Sequence, residues 1–318
     1  MERHRTSRGA AGARTASNPT ASTPAAPAVR RWSVLFSPDR PAVANRVVTL
    51  DDLDIAYDRG ELSVHYQLVT TGDGRPAGAE ALLRWDRPGH GVVDASSFVS
   101  LLSEADLIRG ITDLVAADLI VALPVLRSLI DTPQTYFSFN VPARLLQDSM
   151  FPSRIAALLN TEAVAPDGLV VELTDANSVT DWRALRDGVD ELRRLSILTA
   201  VDDAGAEPGD LLYRDRCDAP IVKLDRAMVA ESRRWAHERR VVEATIDLCR
   251  ASSVQVIAQG VEDEAAAHWL RDRGVDFMQG FHLARPVPLE TLLDRLQHGD
   301  FTDEGRLRRS ARSFGIGR

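Results

Sequence analysis

Cysteine is scarce in this sequence of 318 residues, which contains only Cys217 and Cys249. The two thiols have neither CxxC spacing nor a neighbouring histidine, so they form no recognisable redox or metal-binding motif. Disulfides are rare where thiols are kept reduced, and two isolated cysteines fit that environment. We therefore expect a cytoplasmic protein in which both cysteines are reduced, buried and structural.

Long apolar runs are also missing. The longest candidate, ITDLVAADLIVALPVLRSLI at 111–130, is interrupted by two aspartates, Pro124 and Arg127. A membrane-spanning helix needs about 20 consecutive, mostly apolar residues, so we predict a pair of buried helices here and no membrane span. No apolar core follows the N-terminal arginines, and a secretory signal is therefore not expected.

Basic residues are concentrated at the N-terminus. The formal net charge is -8, yet residues 1–45 carry seven arginines against two acidic residues, which leaves the rest of the chain near -13. Such an acidic body excludes a general binder of nucleic-acid polymers, which would present a basic face. Residues 1–45, rich in Ala, Ser, Pro and Arg, are predicted to be a disordered basic tail. Residues 300–318 are predicted to form a second polar and basic tail, and 46–299 a folded domain.

The region between the tails alternates short β-branched runs with longer helical patterns, which is typical of an α/β fold with a largely parallel sheet. The predicted strands are SVHYQLV (63–69), GAEALLRW (78–85), YFSFNV (136–141), GLVVEL (168–173), LTAVDDA (198–204), APIVKLD (219–225), SVQVIAQ (253–259) and DFMQG (276–280). Helices are predicted over 181–195, 235–252 and 263–274. Eight strands with intervening helices predict a TIM-type (β/α)8 barrel. Only TGDGRPA separates the first two strands, so the first strand should pair antiparallel with the second.

Polar residues end many of these strands, at the face of such a barrel where chemistry occurs. They are Glu80, Asn140, Glu172, Asp202, Asp203, Lys223, Gln259 and Gln279. Converging carboxylates repel one another unless they are protonated or neutralised by a cation. Carboxylate and amide oxygens favour a hard ion such as Mg²⁺, Mn²⁺ or Ca²⁺ over zinc.

Lysine is even scarcer than cysteine, because Lys223 is the only lysine among 38 lysine and arginine residues. A sequence so biased toward arginine should use it wherever a surface cation suffices, so this strand end indicates a need for a compact ammonium. Contact with a phosphate or with an attacking water fits that need. The alternative is that one lysine persists by chance.

Several short motifs follow one another between residues 46 and 299. They are Gln67, EALLRW (80–85), FNVPARLL (139–146), VELTD (171–175), VDDAG (201–205), VKLD (222–225), QGVE (259–262) and QGFHLARP (279–286). In this order and at this approximate spacing, they resemble the motifs of EAL domains, the barrel phosphodiesterases that linearise cyclic di-GMP. The resemblance also implies an antiparallel first strand.

The resemblance implies a role for each matching residue. The implied ligands of a first Mg²⁺ or Mn²⁺ are Glu80, Asn140, Glu172 and Asp202. A second ion would be held with the help of Asp202 and Asp203. The residues implied to contact cyclic di-GMP, or to position its phosphate and the reacting water, are Gln67, Arg84, Lys223 and Gln279. Two metals would stabilise the attacking and the leaving oxygen and lower the pKa of the attacking water.

Gln259 departs from the family pattern, because it occupies the position of the first glutamate of E-G-V-E. That glutamate is usually assigned as the general base and lies near the second metal. An amide has no basicity near neutral pH and adds no negative charge to a metal site. General-base catalysis contributes typically ~10²–10⁴-fold in rate, or roughly 3–5 kcal/mol of barrier.

Further departures flank the implied metal site. Pro142 replaces the serine of N-L-S, and Asp175 replaces the second glutamate of E-I-T-E. Residues 202–210, DDAGAEPGD, replace the family's DDFGTGYSS, a loop that commonly couples dimer contacts to the metal site. These changes indicate a degenerate enzyme.

Three functions fit the pattern. We predict a bacterial signalling protein that binds cyclic di-GMP with Mg²⁺ or Mn²⁺ and hydrolyses it very slowly or not at all. In the first alternative it is an active phosphodiesterase in which Glu262 or Asp203 replaces the base. In the second it is a protein-interaction scaffold that no longer needs the ligand. A homodimer is compatible with the resemblance, and output would require a protein partner that the sequence does not identify.

Overall fold

The computed structural model describes residues 48–102, 107–204 and 210–299. Both predicted tails, 1–45 and 300–318, lie outside these residues, as does most of the altered loop. The statements about them therefore stay predictions. The folded domain predicted for 46–299 is described below from the residues within it.

A closed barrel of eight strands forms the centre of the described residues, which confirms the predicted fold class. The strands are β1 (Leu62–Thr71), β2 (Pro76–Arg87), β3 (Gly91–Asp94), β4 (Tyr136–Pro142), β5 (Leu169–Thr174), β6 (Leu198–Ala204), β7 (Ile221–Leu224), β8 (Gln255–Ala258), β9 (Phe277–Met278) and β10 (Val287–Pro288). The barrel order is β1-β2-β4-β5-β6-β7-β8-β9, and β9 pairs back onto β1. The short strands β3 and β10, which were not predicted, extend β2 and β1.

The first strand runs against the rest of the barrel, as the short connection after it predicted. β1 is antiparallel to both β2 and β9, whereas β2 and the strands from β4 to β9 pair in parallel. The β1–β2 register places Gln67 opposite Glu80. The hairpin therefore brings two separated motifs of the sequence together.

Helices accompany the strands along the chain. They are α1 (Leu50–Arg59), α2 (Val99–Leu102), α3 (Leu107–Leu129), α4 (Ala143–Leu146), α5 (Met150–Glu162), α6 (Trp182–Arg194), α7 (Asp210–Cys217), α8 (Arg226–Ser232), α9 (Ala236–Ala251), α10 (Glu264–Arg273) and α11 (Leu289–His298). The predictions for α6, α9 and α10 are confirmed to within a residue or two. Gly274 ends α10 with φ 75°, a left-handed conformation that glycine adopts without steric cost.

The helix pair predicted for 111–130 is wrong, because α3 is one helix with Pro124 inside it. A proline removes one backbone donor and crowds the preceding turn, at a cost of about 3 kcal/mol. Burial of Leu119, Leu123 and Leu126 on one face of α3 offsets that cost, since each buried leucine contributes roughly 1.5–3 kcal/mol. Among the helices within the described ranges, none combines the length and hydrophobicity that a membrane crossing requires.

The interior of the barrel is filled by side chains rather than open. One residue from each barrel strand contributes to an inner layer. Its members are Val69, Ala77, Tyr136, Val170, Ala200, Ile221, Ile257 and Phe277. A second, larger cluster packs the outside of the sheet against the helices and includes both cysteines, which are free and buried as expected.

Candidate active site

The polar strand ends lie directly above the inner layer. Side chains two residues apart on a strand point to the same face. Glu172, Asp202, Lys223 and Gln259 each follow an inner-layer residue by two positions. The same alternation that buries the apolar layer therefore turns these side chains toward the barrel axis, one step closer to the carboxyl ends of the strands.

Lys223 lies at the centre of this site, with only 1% of its surface exposed. Its Nζ contacts one oxygen of each of three carboxylates: Glu80 Oε2 at 3.2 Å, Asp202 Oδ1 at 3.4 Å, and Glu172 Oε2, to which it donates a hydrogen bond. We call these three acidic residues the carboxylate cluster. The sole lysine thus neutralises part of the negative charge that three strands, β2, β5 and β6, bring together.

Glu80 is held by amides on both sides. Asn140 Nδ2 donates to Glu80 Oε1 at 2.7 Å, and Gln279 Nε2 donates to Glu80 Oε2 at 2.7 Å. The same Gln279 nitrogen lies 3.1 Å from Gln67 Oε1, and Gln67 Nε2 donates to the carbonyl of Ala284. The structure therefore joins Gln67, Glu80, Asn140 and Gln279 in one hydrogen-bonded chain.

Burial and mutual contact shift the pKa values of Lys223, Glu80 and Glu172. Burial opposes the charge on Lys223, but Asp202, Glu172 and Glu80 outweigh it and raise the lysine pKa well above its usual value. Burial also opposes the charge on Glu80, yet Lys223 and the two amide donors lower the Glu80 pKa. Burial and the neighbouring Glu80 charge raise the pKa of Glu172 to about 8 despite Lys223. The single ammonium of Lys223 therefore does not neutralise the whole carboxylate cluster, and the remaining negative charge would favour a further cation.

The donor set fits a hard divalent cation. Asn140 Oδ1 is buried and has no hydrogen-bond partner, and a buried oxygen without a partner carries a free-energy penalty that a metal would remove. It lies beside Glu80, whose carboxylate is the type of ligand Mg²⁺ and Mn²⁺ prefer. No group of three or more His, Cys, Asp or Glu within the described ranges is already arranged to hold an ion. In this structure the Lys223 ammonium contacts oxygens of Glu80, Glu172 and Asp202 instead.

Gln259 contacts the cluster through its amide nitrogen. Nε2 of Gln259 donates to Asp202 Oδ1 at 2.5 Å, the same oxygen that lies 3.4 Å from Lys223. Asp202 therefore receives a neutral hydrogen bond at the point where a glutamate would have placed a second negative charge. The amide satisfies the aspartate and cannot accept a proton from water.

A bulge places Asp202 and Asp203 at the rim of the barrel. β6 carries one residue more than β7 between the paired positions on either side of these aspartates, and bulges commonly redirect side chains next to active sites. Asp203 has φ 51° and is exposed. Partial desolvation and the neighbouring Asp202 and Asp225 carboxylates raise the pKa of Asp203 to about 6.

Arg84 lies apart from the carboxylate cluster, on the outgoing half of β2. Its Nε forms an ion pair with Asp94 on β3 at 3.0 Å, and its Nη1 donates to the carbonyl of Leu83. Arg84 is 8% exposed, and burial lowers its pKa. Arg84, the residue expected to contact a phosphate, is therefore held in place by an aspartate that the sequence analysis did not identify.

Glu262, the replacement base considered from the sequence, is placed differently. Its side chain is 53% exposed, and its carboxylate lies 3.6 Å from Arg226 Nη2. The contacts of Glu262 are thus at the surface and not with Lys223, whereas Gln259, three residues earlier, reaches the cluster.

Tyr136 is a polar residue of the site that the sequence analysis missed. It begins β4, and its hydroxyl donates to Glu172 Oε1 at 2.8 Å. The spacing of four residues before Asn140 on the same strand could have indicated it, because such a spacing places both side chains on one face.

Comparisons with known proteins identify the family to which the chain is similar. Residues 50–286 match the family model described as EAL domain. The chain is 32% identical over 248 residues to the bifunctional diguanylate cyclase/cyclic di-GMP phosphodiesterase MucR of Pseudomonas aeruginosa, covering 77% of this chain and 36% of MucR. It is 30% identical over 259 residues to the uncharacterized protein Rv1357c of Mycobacterium tuberculosis, covering 79% of this chain and 84% of that protein.

Solved structures show the same architecture. The PaMucR phosphodiesterase in complex with c-di-GMP superimposes with a TM-score of 0.70 at 28% identity, covering 76% of this chain and 98% of that one. The FimX EAL domain from Pseudomonas aeruginosa bound to c-di-GMP gives a TM-score of 0.64 at 19% identity, covering 74% and 94%, and its likeness concerns the fold alone. The chain spans about a third of the length of MucR, so it corresponds to one part of that protein.

Proposed function

Because this chain belongs to the EAL domain family, we propose that it binds cyclic di-GMP together with Mg²⁺ or Mn²⁺ and hydrolyses it very slowly or not at all. The observation that carries the proposal is the hydrogen bond from Gln259 Nε2 to Asp202 Oδ1 at 2.5 Å. A neutral amide occupies the place of the proton acceptor, while the groups for binding are present around it.

The binding half of the proposal rests on groups that already face one another. Glu80, Asn140, Glu172 and Asp202 would hold the first ion, and Asp202 with Asp203 would help hold a second. The ions, when bound, would supply the positive charge that cancels phosphate repulsion and would lower the pKa of the attacking water. Gln67 and Gln279 would contact the dinucleotide through the amide chain that runs past Glu80.

Arg84 would bind a phosphate of the ligand. A guanidinium matches a phosphate with two parallel hydrogen bonds, and charge-assisted bonds of this kind are about twice as strong as neutral ones. The ion pair with Asp94 orients the group before the ligand arrives. Binding and proton transfer are therefore carried by different residues in this chain, and only the second function lacks its residue.

Hydrolysis requires that the attacking water lose a proton, and Gln259 cannot accept it. The amide donates to Asp202 instead of presenting a lone pair to water. General-base catalysis is worth ~10²–10⁴-fold, so we expect turnover to be lower than that of a matched glutamate variant by that factor.

Calorimetry and product analysis on the wild-type protein test the proposal. Cyclic di-GMP titrated in the presence of Mg²⁺ or Mn²⁺ should bind with a dissociation constant below tens of micromolar. The same samples should yield little or no linear dinucleotide. Absence of binding at that concentration would contradict the proposal, and so would turnover near once per second.

An active phosphodiesterase is the second candidate, and the position of Asp203 favours it. The β6 bulge and the left-handed backbone hold this carboxylate at the rim beside Asp202, where a water on the ligand would lie. If Asp203 is the base, D203N should abolish turnover while E262Q retains it. The reverse outcome would identify Glu262, and equal low turnover in all three proteins would remove this candidate.

A further inference from the structure

Tyr136 has an unusual position, because its ring and its hydroxyl belong to different layers of the barrel. The ring is part of the inner layer, 1% exposed, with its centroid 5.6 Å from that of Phe277. Among the described residues that form this layer, Tyr136 is the member with a polar side-chain atom. That atom is directed upward to Glu172, in the layer where the chemistry is expected.

The hydroxyl determines how both oxygens of Glu172 are used. Oε1 accepts the hydrogen bond from Tyr136 at 2.8 Å, and Oε2 accepts from Lys223. Because Glu172 is completely buried, water from the surface cannot reach Oε1 and take the place of the Tyr136 hydroxyl if that donor is removed. The tyrosine and the lysine together fix the rotation of the carboxylate about its own axis.

Resting on the proposed metal-dependent function, we propose that Tyr136 is a positioning residue for Glu172 as a metal ligand. Its hydroxyl holds Oε1 of Glu172, and Oε2 is therefore the oxygen that faces Lys223. Partners that orient a metal ligand through a hydrogen bond typically contribute 10–100-fold in metal affinity, because they fix the ligand before the ion arrives. Tyr136 does not contact the ion and acts only through Glu172.

The packing around Tyr136 supports a defined orientation rather than an accidental contact. Its backbone lies opposite Gly78 on β2, where an added Cβ would lie 1.6 Å from the Tyr136 carbonyl oxygen. The close strand approach fixes the backbone of Tyr136, and its ring packs against Phe277 within the inner layer. A tyrosine confined in this way presents its hydroxyl at one place, which is what orienting a ligand requires.

A matched control exists in the same barrel. Tyr66 on β1 is also fully buried, and its hydroxyl also donates to a carboxylate, Asp118 on α3. The two tyrosines differ in the carboxylate they contact, since Asp118 belongs to a helix outside the barrel. Y66F therefore removes a buried hydroxyl and its hydrogen bond to a carboxylate, while the carboxylate cluster keeps all of its own contacts.

The test is a Mn²⁺ titration followed by electron paramagnetic resonance of the free ion, on the wild type, Y136F and Y66F. We expect Y136F to weaken Mn²⁺ binding by about 10–100-fold and Y66F to change it by less than about twofold. Thermal unfolding of the metal-free proteins, measured in parallel, should show similar losses for both variants. Equal Mn²⁺ affinity in Y136F and wild type would overturn the inference.

A second comparison separates positioning from a general effect on structure. If Tyr136 acts through Glu172, Y136F should add no further loss of Mn²⁺ affinity in an E172Q background. An additional tenfold loss there would show a different route and overturn the inference. Failure of the wild type itself to bind Mn²⁺ would instead contradict the proposed function, on which the inference rests.

Discussion

The two sides of the active site differ in how completely they are built. On the side of β2, β4 and β5, Glu80 and Glu172 are buried, and Asn140, Lys223 and Tyr136 bind their oxygens. The other side, formed by β6 and β8, holds Asp202 in a bulge, an exposed Asp203 and the amide of Gln259.

Under the proposed function, this difference means that one side chain separates ligand binding from proton transfer. The first side keeps Glu80, Asn140 and Glu172, three of the four residues that the family resemblance implies for the first ion. The second side keeps both aspartates, but Gln259 presents a hydrogen-bond donor to Asp202 at the position where the family resemblance implies the base. Substitutions on each side should therefore affect different measurements, and the predictions below are arranged from the largest expected effect to the smallest.

Removal of the central cation should have the largest effect. K223M leaves the buried carboxylates Glu80 and Glu172 without their ammonium, and breaking a buried ion pair on one side typically costs 3–5 kcal/mol. Urea unfolding of the metal-free protein measures this loss. As a control, R75M removes an ion pair whose members are both more than half exposed and should leave the urea midpoint nearly unchanged, because such pairs contribute little to stability. Similar losses in both variants would contradict a central role for Lys223.

Loss of a metal ligand on the buried side should weaken binding strongly. E80Q removes one negative charge and one of the two oxygens that accept hydrogen bonds from Asn140 and Gln279, so we expect affinity for Mg²⁺ and for cyclic di-GMP with Mg²⁺ to fall on the order of 100-fold. Calorimetry checks this, with E191Q on the outer helix α6 as the matched control. The same substitution should abolish a ligand-dependent phenotype; a phenotype that survives in E80Q would show that the protein acts as a scaffold that does not use the ligand.

The contribution of Glu172 to the stability of the metal-free protein should increase as the pH falls from 7.5 to 5.5. The pKa of Glu172 is about 8 in the folded protein and near 4.5 when unfolded, so the folded state holds an extra proton between these values. Its contribution to stability is fully present below pH 4.5 and is lost as the pH rises toward 8, with a slope of at most about 1.4 kcal/mol per pH unit. Urea unfolding at several pH values tests this, and E172Q should flatten the slope.

The smallest effect is expected for the partner of Arg84. Asp94 is 72% exposed in its ion pair with Arg84, and such pairs contribute about 0.2–1 kcal/mol. D94N should therefore change cyclic di-GMP affinity by less than about fivefold, as measured by calorimetry. A change of 100-fold would show that Asp94 has a direct role in binding.

Much of the fold could be predicted because its rules are local. β-Branched runs and a seven-residue connection gave the eight strands and the antiparallel first one, and the strand ends indicated the groups around Lys223. α3 could not be predicted correctly, since the cost of Pro124 is offset by burial that depends on the folded neighbours. The short strands β3 and β10 could not be predicted either. Both segments are very short, and β10 forms by pairing with β1, which is distant in the sequence.

The candidate site was predicted where residues end strands and missed where they do not. Tyr136 begins its strand and reaches Glu172 only through the length of its side chain. Asp94 contacts Arg84 across the β2–β3 hairpin, a strand pair that was not anticipated. The exposed position of Glu262 likewise follows from the turn after β8, whose direction the sequence does not specify.

Turnover of cyclic di-GMP by Q259E, compared with the wild type, tests the central claim most directly. The new carboxylate would face Asp202, so we expect metal-free Q259E to be less stable and the loss to be recovered with Mn²⁺. With Mg²⁺ or Mn²⁺ present, formation of the linear dinucleotide should rise by ~10²–10⁴-fold, while the dissociation constant for cyclic di-GMP changes little. Unchanged turnover in a Q259E protein that still binds the ligand would contradict the claim that the missing base alone separates binding from hydrolysis.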